Sequence, residues 1–237
     1  RQEQEERAEK KLAGASSRVD AYNLSAARDL IEEVEQNPAL ERNPELAEKL
    51  AALQKKLQQQ EKALARERER LAELKETAQR ALERNNFGEV TSALAQMEKL
   101  DLYERDPRVR ETVSSLRRRS NQKKKELARQ WLAEGKEAYT NGQYARADEV
   151  FEKAAKWEAV LGRGHRKDLR RLRQKVKGAL DHCRQLFEDG KRLFQLGNYE
   201  EALEKFSAAR GLDFDCGAEL ESSLEEYAKK SRNKMRS

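Results

Sequence analysis

Apolar residues recur at helical spacing along almost the whole chain, in stretches that are alternately short and long. Leu24, Ala27, Ile31 and Val34 fall at i, i+3, i+7 and i+10, one face of a short helix that Asn37-Pro38 stops. From Pro44 to about Arg84 there is no further Pro and no Gly. Leu46, Leu50, Leu53, Leu57, Leu64, Leu71, Leu74 and Leu82 trace a nearly heptad stripe, with Gln60 and Glu67 standing on it. At 1.5 Å per residue this predicts a helix roughly 60 Å long. The polar interruption predicts that its two halves pack on different partners. Phe87, Val90, Leu94 and Met97 begin the next short helix. A second long helix is predicted from Pro107 to about Thr140, with Val109, Val113 and Leu116 in one apolar patch and Leu127, Trp131, Gly135 and Ala138 in another. The short stretch from Tyr144 to Ala154 follows. A third long helix runs from about Gly164 to Gln195 with Leu169, Leu172, Val176, Leu180, Cys183, Leu186 and Phe187 on its apolar side. Then come Tyr199 to Ala209 and a last helix from about Ala218 to Lys230. The residues after Lys230 carry no pattern. The fold class is all-α.

The short helices start at Leu24, Phe87, Tyr144 and Tyr199, at intervals of 63, 57 and 55 residues. The last two keep one register over many positions: Gly135 and Gly190, Gly142 and Gly197, Tyr144 and Tyr199, Ala147 and Ala202, Phe151 and Phe206, Ala154 and Ala209. The first two are linked by a separate coincidence. Asn43-Pro44 and Asp106-Pro107 are each a capping residue followed by a proline at the first helical position. These are the marks of an internal repeat. The division expected is 1–43 for the first unit, 44–106 for the second, 107–163 for a basic third, and 164–237 for the fourth with a closing helix.

The segments Gly135–Ala154 and Gly190–Ala209 resemble the tetratricopeptide repeat. Trp131 (Leu186 in the last unit), Gly135/Gly190, Gly142/Gly197, Tyr144/Tyr199, Ala147/Ala202, Phe151/Phe206 and Ala154/Ala209 carry the resemblance. In the first two units Ala15 and Ala78 stand where the first Gly stands later. The resemblance implies helical hairpins packed in series and a protein-binding, non-catalytic function. The length departs from it. A tetratricopeptide unit has about 34 residues, and the extra length here extends the first helix of each hairpin. Two arrangements follow: a rod of three-helix bundles linked through shared long helices in the manner of spectrin, and a superhelix with protruding helical stubs.

Composition narrows the function. Charged residues make up 40% and apolar residues 37%, which suits an elongated array with much surface per residue. No apolar run approaches the roughly 18 residues of a membrane span. The chain begins with Arg1 and not Met, so it is expected to be part of a longer protein. His165 and His182 are the only histidines, and no cluster has metal-ligand spacing. No phosphate-binding glycine loop or nucleophile elbow is present. An enzyme is not expected, nor a cofactor or metal. Cys183 and Cys216 fit no metal spacing. They are expected to be buried or incidental thiols, the alternative being a disulfide or a reactive site, and thiols favour a cytoplasmic location over a periplasmic or membrane-tethered one.

Charge is uneven. Residues 107–177 hold 21 basic and 9 acidic side chains, net +12, between flanks of net −4 (19 basic, 23 acidic) and −2 (10 basic, 12 acidic). Arg117, Arg118, Arg119, Lys123, Lys124 and Lys125 lie within nine residues. Arg163, Arg166, Lys167, Arg170, Arg171, Arg173, Lys175 and Lys177 face only Asp168 within their own stretch. A solvated helical face is one reading. The other is a patch for nucleic acid, anionic lipid or an acidic protein. Aromatic residues do not interleave the first cluster, which disfavours stacking on single-stranded bases. Trp157 follows a short helix and is the best single candidate for a partner-groove residue. The expected function is a protein-binding scaffold, adaptor or spacer; the alternative is an electrostatic binding module centred on 107–177. Oligomeric state stays open.

Overall fold

The computed structural model describes residues 2–236. Among the described residues the chain is all α-helical: α1 (Gln2–Asp20), α2 (Leu24–Glu35), α3 (Pro44–Glu83), α4 (Phe87–Met97), α5 (Asp101–Arg105), α6 (Pro107–Thr140), α7 (Tyr144–Ala155), α8 (Arg163–Gln195), α9 (Tyr199–Arg210) and α10 (Ala218–Arg236). A 3-10 turn at Glu158–Val160 precedes α8. The four short helices α2, α4, α7 and α9 begin at the residues the apolar spacing predicts. The chain divides into two compact units between Arg117 and Arg118.

One joint is built four times. Tyr22, Asn85, Gly142 and Gly197 have φ of 57°, 58°, 73° and 85°, the left-handed region. Each lies two residues before a short helix. The following amide reaches back to the preceding long helix: Asn23 to the Arg18 carbonyl at 2.8 Å, Asn86 to Ala81 at 2.8 Å, Gln143 to Ala138 at 2.9 Å, and Asn198 to Leu193 at 3.0 Å. The left-handed residue's own amide donates to the carbonyl three before it, in all four cases. These paired bonds satisfy carbonyls that a helix end leaves open. The residue that closes one helix also sits at the N-cap of the next. Asn23 and Asn86 complete this role by accepting from Ala26 and Glu89 amides.

The hairpins close by matching a small residue on the long helix to a large one sixteen residues later. A Cβ placed on Gly190 would lie 2.6 Å from Phe206 Cε1, and one on Gly135 would lie closer still to Phe151 Cε1. Phe151 and Phe206 are both fully buried. At the aligned positions of the earlier hairpins the pairs are Ala15 with Ile31 and Ala78 with Leu94, all four buried. The larger small residue is thus matched with the smaller large one.

In the first unit α1, α2 and the first half of α3 form one core, with Leu12, Val19, Ile31, Val34, Leu46, Leu50, Leu53 and Leu57 buried in it. Each such leucine contributes roughly 1.5–3 kcal/mol by burial. The second half of α3 buries Leu74, Ala78, Ala81 and Leu82 and packs on α4 and α5. The two polar residues on the stripe behave differently. Glu67 accepts the Leu102 amide at 3.0 Å, capping α5. Gln60 Oε1 is sealed from solvent and receives no hydrogen bond among the described residues. Arg105 at the end of α5 lies over the Tyr22 ring, 3.4 Å from its centroid. That contact is worth about 0.5–1 kcal/mol at an exposed site, which offsets part of the cost of a tyrosine at positive φ.

In the second unit α8 is shared between two cores. Its first half joins α6 and α7 through Leu169, Leu172, Val176 and Leu180 against Ala128, Leu132, Phe151 and Ala154. Its second half joins α9 and α10 through Cys183 and Phe187 against Phe206, Ala209, Leu224 and Ala228. Tyr227 of α10 meets Phe187, Phe194 and Phe206 ring to ring, at centroid distances of 5.6–5.7 Å.

Three expectations need correction. The second apolar patch of α6 is centred on Ala128, Leu132, Gly135 and Ala138, with Leu127 and Trp131 only half-buried. The last helix does not stop near Lys230 but runs to Arg236. Ser231 is fully buried there, its hydroxyl donating to the Tyr227 carbonyl at 2.9 Å. The largest correction concerns the cysteines. They are not unpaired thiols: Cys183 and Cys216 form a disulfide.

Three variants test this packing. Gly190→Ala gains about 1 kcal/mol of helix propensity but overpacks an immobile ring at a cost of typically 1–3 kcal/mol. Denaturant titration should show a net loss. The double variant Gly190→Ala/Phe206→Leu should be more stable than the sum of its single changes predicts, by about 1 kcal/mol. Gln60→Leu removes an unsatisfied acceptor from an apolar stripe and should raise stability by about 1 kcal/mol.

Candidate functional site

The basic residues singled out in the sequence lie on α6 and α8. Arg117 closes the first unit, where its guanidinium pairs with Glu98, the C-cap of α4, at 2.6 Å. Arg118, Arg119, Lys123, Lys124 and Lys125 belong to the second unit. Arg118 and Arg119 are exposed, and the three lysines are half-buried. Arg118, Lys123 and Lys124 each engage in interactions of their own. The cluster is therefore not one uniform exposed patch.

On the first half of α8 some of the cations meet carboxylates from neighbouring elements. Arg170 pairs with Glu158 of the 3-10 turn at 2.5 Å, and Arg173 pairs with Glu152 of α7. Asp168 accepts from Lys136 of α6 at 2.8 Å and lies 3.8 Å from Arg171. The hydrogen bond and charge of Lys136 hold the Asp168 carboxyl below the usual aspartate range, with Arg171 and His165 assisting. Arg163, Lys167, Lys175 and Lys177 are exposed and Arg166 is half-buried; none of the five makes an ion pair among the described residues. The first turn of α8 contains no acidic residue. Cations there stand at the positive end of the helix dipole, which costs about 0.3–1 kcal/mol each at low ionic strength.

Trp157 is half-buried and stacks on Trp131, with ring centroids 4.9 Å apart and planes 24° from parallel. The pair seals the edge of the α6–α7–α8 core. His165 and His182 are both exposed. Among the described residues no group of three His, Cys, Asp or Glu side chains is placed to hold a metal ion. No helix of the described residues is long and apolar enough to cross a membrane.

Two clefts were not legible in the sequence. In the first unit Leu12 and Ala13 of α1 and Ala52 and Leu53 of α3 floor a cleft of about 540 Å³, with Glu9, Ser16, Lys49 and Lys56 at its rim. Lys49 is engaged by Glu45 at 2.7 Å and Lys56 by Asp20 at 2.6 Å, so the rim is largely neutralised. In the second unit Ala145 and Asp148 of α7, Leu180 and Arg184 of α8, and Cys216 and Leu220 line another cleft of about 540 Å³. Burial pushes the Asp148 carboxyl above the usual aspartate range, and Glu152 pushes the same way; Arg173, Arg184 and Lys177 pull it back.

An aspartate whose folded-state pKa is raised opposes folding when it is ionised. Its contribution improves as pH falls through the folded value and levels off below the unfolded one. Asp148→Asn should therefore raise the thermal midpoint at neutral pH, by no more than about 0.5 kcal/mol of stability for so open a site. The difference from the unaltered chain should vanish near pH 3, below the ordinary aspartate pKa. Thermal melts across that range check both. No family model, no curated protein and no solved structure matches the chain.

Proposed function

We propose that this chain is a non-catalytic scaffold of tetratricopeptide-like helical hairpins that binds other proteins. One observation carries the reading: the same left-handed joint, with the same pair of backbone hydrogen bonds, occurs before all four short helices. The paired Gly135–Phe151 and Gly190–Phe206 contacts support it, because close helix approach through a small residue is what such hairpins use. In this reading the long helices are spacers and display surfaces, and the α1–α3 cleft offers apolar floor to a partner. Ala13 and Ala52 are exposed there and do not build the core.

A second reading rests on a separate observation. Arg163, Arg166, Lys167, Lys175 and Lys177 make no ion pair among the described residues, although carboxylates engage Arg170 and Arg173 on the same helix. That face suits an anionic partner through long-range attraction. As for compartment, disulfides persist where the surroundings are oxidising. The Cys183–Cys216 bond thus favours the periplasmic or membrane-tethered alternative over the cytoplasm.

The two readings separate by salt. Capture of protein partners by the whole chain should survive about 0.5 M salt and fall at least tenfold in Ala13→Arg/Ala52→Arg, since that contact is apolar. If the chain instead binds duplex DNA or anionic vesicles with a steep salt dependence, and Lys167→Glu/Lys177→Glu abolishes it, the electrostatic reading replaces the first.

A further inference from the structure

The loop 211–217 between α9 and α10 does more than connect them. It crosses to the α6–α7 turn and completes it. The Asp215 amide donates to the Gly142 carbonyl at 2.9 Å. Asp215 Oδ1 accepts from the Ala145 amide at 3.0 Å. Ala145 is the second residue of α7, whose own N-cap Gln143 makes no side-chain cap bond. The cap that α7 lacks locally is supplied by a carboxylate 70 residues away. Beside it the Phe214 ring stacks on Tyr144 at 4.4 Å, and Tyr144 stacks on Tyr139 at 5.0 Å. The next residue, Cys216, is tied to Cys183 in the middle of α8.

The two sulfurs are not equivalent. Cys183 is fully buried in the α8–α9–α10 core. Cys216 is half-buried and lines two clefts, one against α7 and α8 and one against the end of α9 and the start of α10. A reagent thus reaches the bond from the Cys216 side. Leu212 and Phe214 of the loop lie against this core, but Phe187, Phe206 and Tyr227 also pack on one another directly.

We propose that Cys183–Cys216 is a thiol–disulfide exchange site, with a dithiol as its substrate class, and that its redox state decides whether the 211–217 strap stays seated on α7. The thiolate of the dithiol attacks Sγ of Cys216. The Cys183–Cys216 bond breaks, and Cys183 leaves as a thiolate and takes up a proton. The second thiol of the reagent then attacks its own sulfur in the mixed disulfide. Cys216 is released as a thiol, and the reagent departs as a cyclic disulfide. Two electrons and two protons pass to the protein. Without the bond the strap keeps two hydrogen bonds to the α6–α7 turn, the Phe214–Tyr144 stack, the Cys216 amide bond to Glu221 and the packing of half-buried Leu212 and Phe214 on the core; none of these is covalent, and the strap opens locally.

Hydrogen–deuterium exchange on the full chain, oxidised and then fully reduced with dithiothreitol, tests this. Reduction should speed exchange about tenfold or more at 144–147 and 211–217, while the α9 and α10 interiors keep their protection. Asp215→Ala in the oxidised chain should speed exchange at 145–147 alone. With glutathione in place of a dithiol, peptide mapping should find the mixed disulfide on Cys216. Unchanged exchange after full reduction overturns the proposal. So does acceleration throughout α8, α9 and α10, which would make the bond a general staple. An adduct on Cys183 overturns the order of attack, and no response to Asp215→Ala overturns the cap.

Discussion

A helix that ends leaves its last carbonyls without partners, and in this chain those carbonyls are met in one way four times. The chain turns left-handed for a single residue, closes two hydrogen bonds backward, and starts the next helix at once. No slack remains in such a joint. The first residue of each short helix is fixed relative to the last turn of the long one, so the faces that meet are fixed as well. The small-to-large matches, from Ala15 with Ile31 to Gly190 with Phe206, are the packing consequence of that geometry. Glycine supplies the left-handed residue twice without cost. Asn85 tolerates it, and Tyr22 is held there under the Arg105 guanidinium.

Much of this was legible in the sequence because each joint is local. Pro44 and Pro107 behind Asn43 and Asp106 announce helix starts, and the structure seats both caps: Asn43 accepts the Leu46 amide and Asp106 the Arg108 amide. The leucine stripe of α3, with its polar break, announces two packing partners. What failed to read was whatever depends on residues far apart in the chain. Trp131 draws attention by its size, yet the smaller Ala128 and Leu132 face the core. Ser231 reads as surface, but its hydroxyl is satisfied by its own helix and it can be buried. Two cysteines 33 residues apart carry no periodic signal, and only the approach of the 211–217 loop to α8 makes them a pair. Asp215, as a cap for a helix 70 residues earlier, had no signal at all.

The candidate site was legible to a similar degree. A run of cations on one helix was visible, but the carboxylates that answer Arg170 and Arg173 come from the 3-10 turn and α7. Arg170 and Arg173 are thus answered across elements, while Arg171 is answered along α8 by Asp168. Exposed pairs of this kind contribute little to stability, about 0–1 kcal/mol, so they neither hold the bundle together nor explain the basic excess. They do decide which cations remain available. Those left without an ion pair on α8 among the described residues include residues of its first turn, where the helix dipole disfavours them. Placing charge against the dipole works against folding, so helix stability gives no reason for it.

The second unit also shows why a long helix invites a covalent tie. α8 serves one core with its first half and another with its second. The 211–217 loop spans that junction. It leaves the α9 end of one core, caps α7 in the other, and is anchored at Cys183, which follows Leu180 of the first core and precedes Phe187 of the second. The disulfide thus stands where α8 passes from one set of partners to the other. There the Phe214–Tyr144 stack and the Asp215 cap carry the strap from one core to the other, and the disulfide holds the strap in the place where both can form, so its loss should be felt in the strap and in the cap of α7 before it is felt in either core.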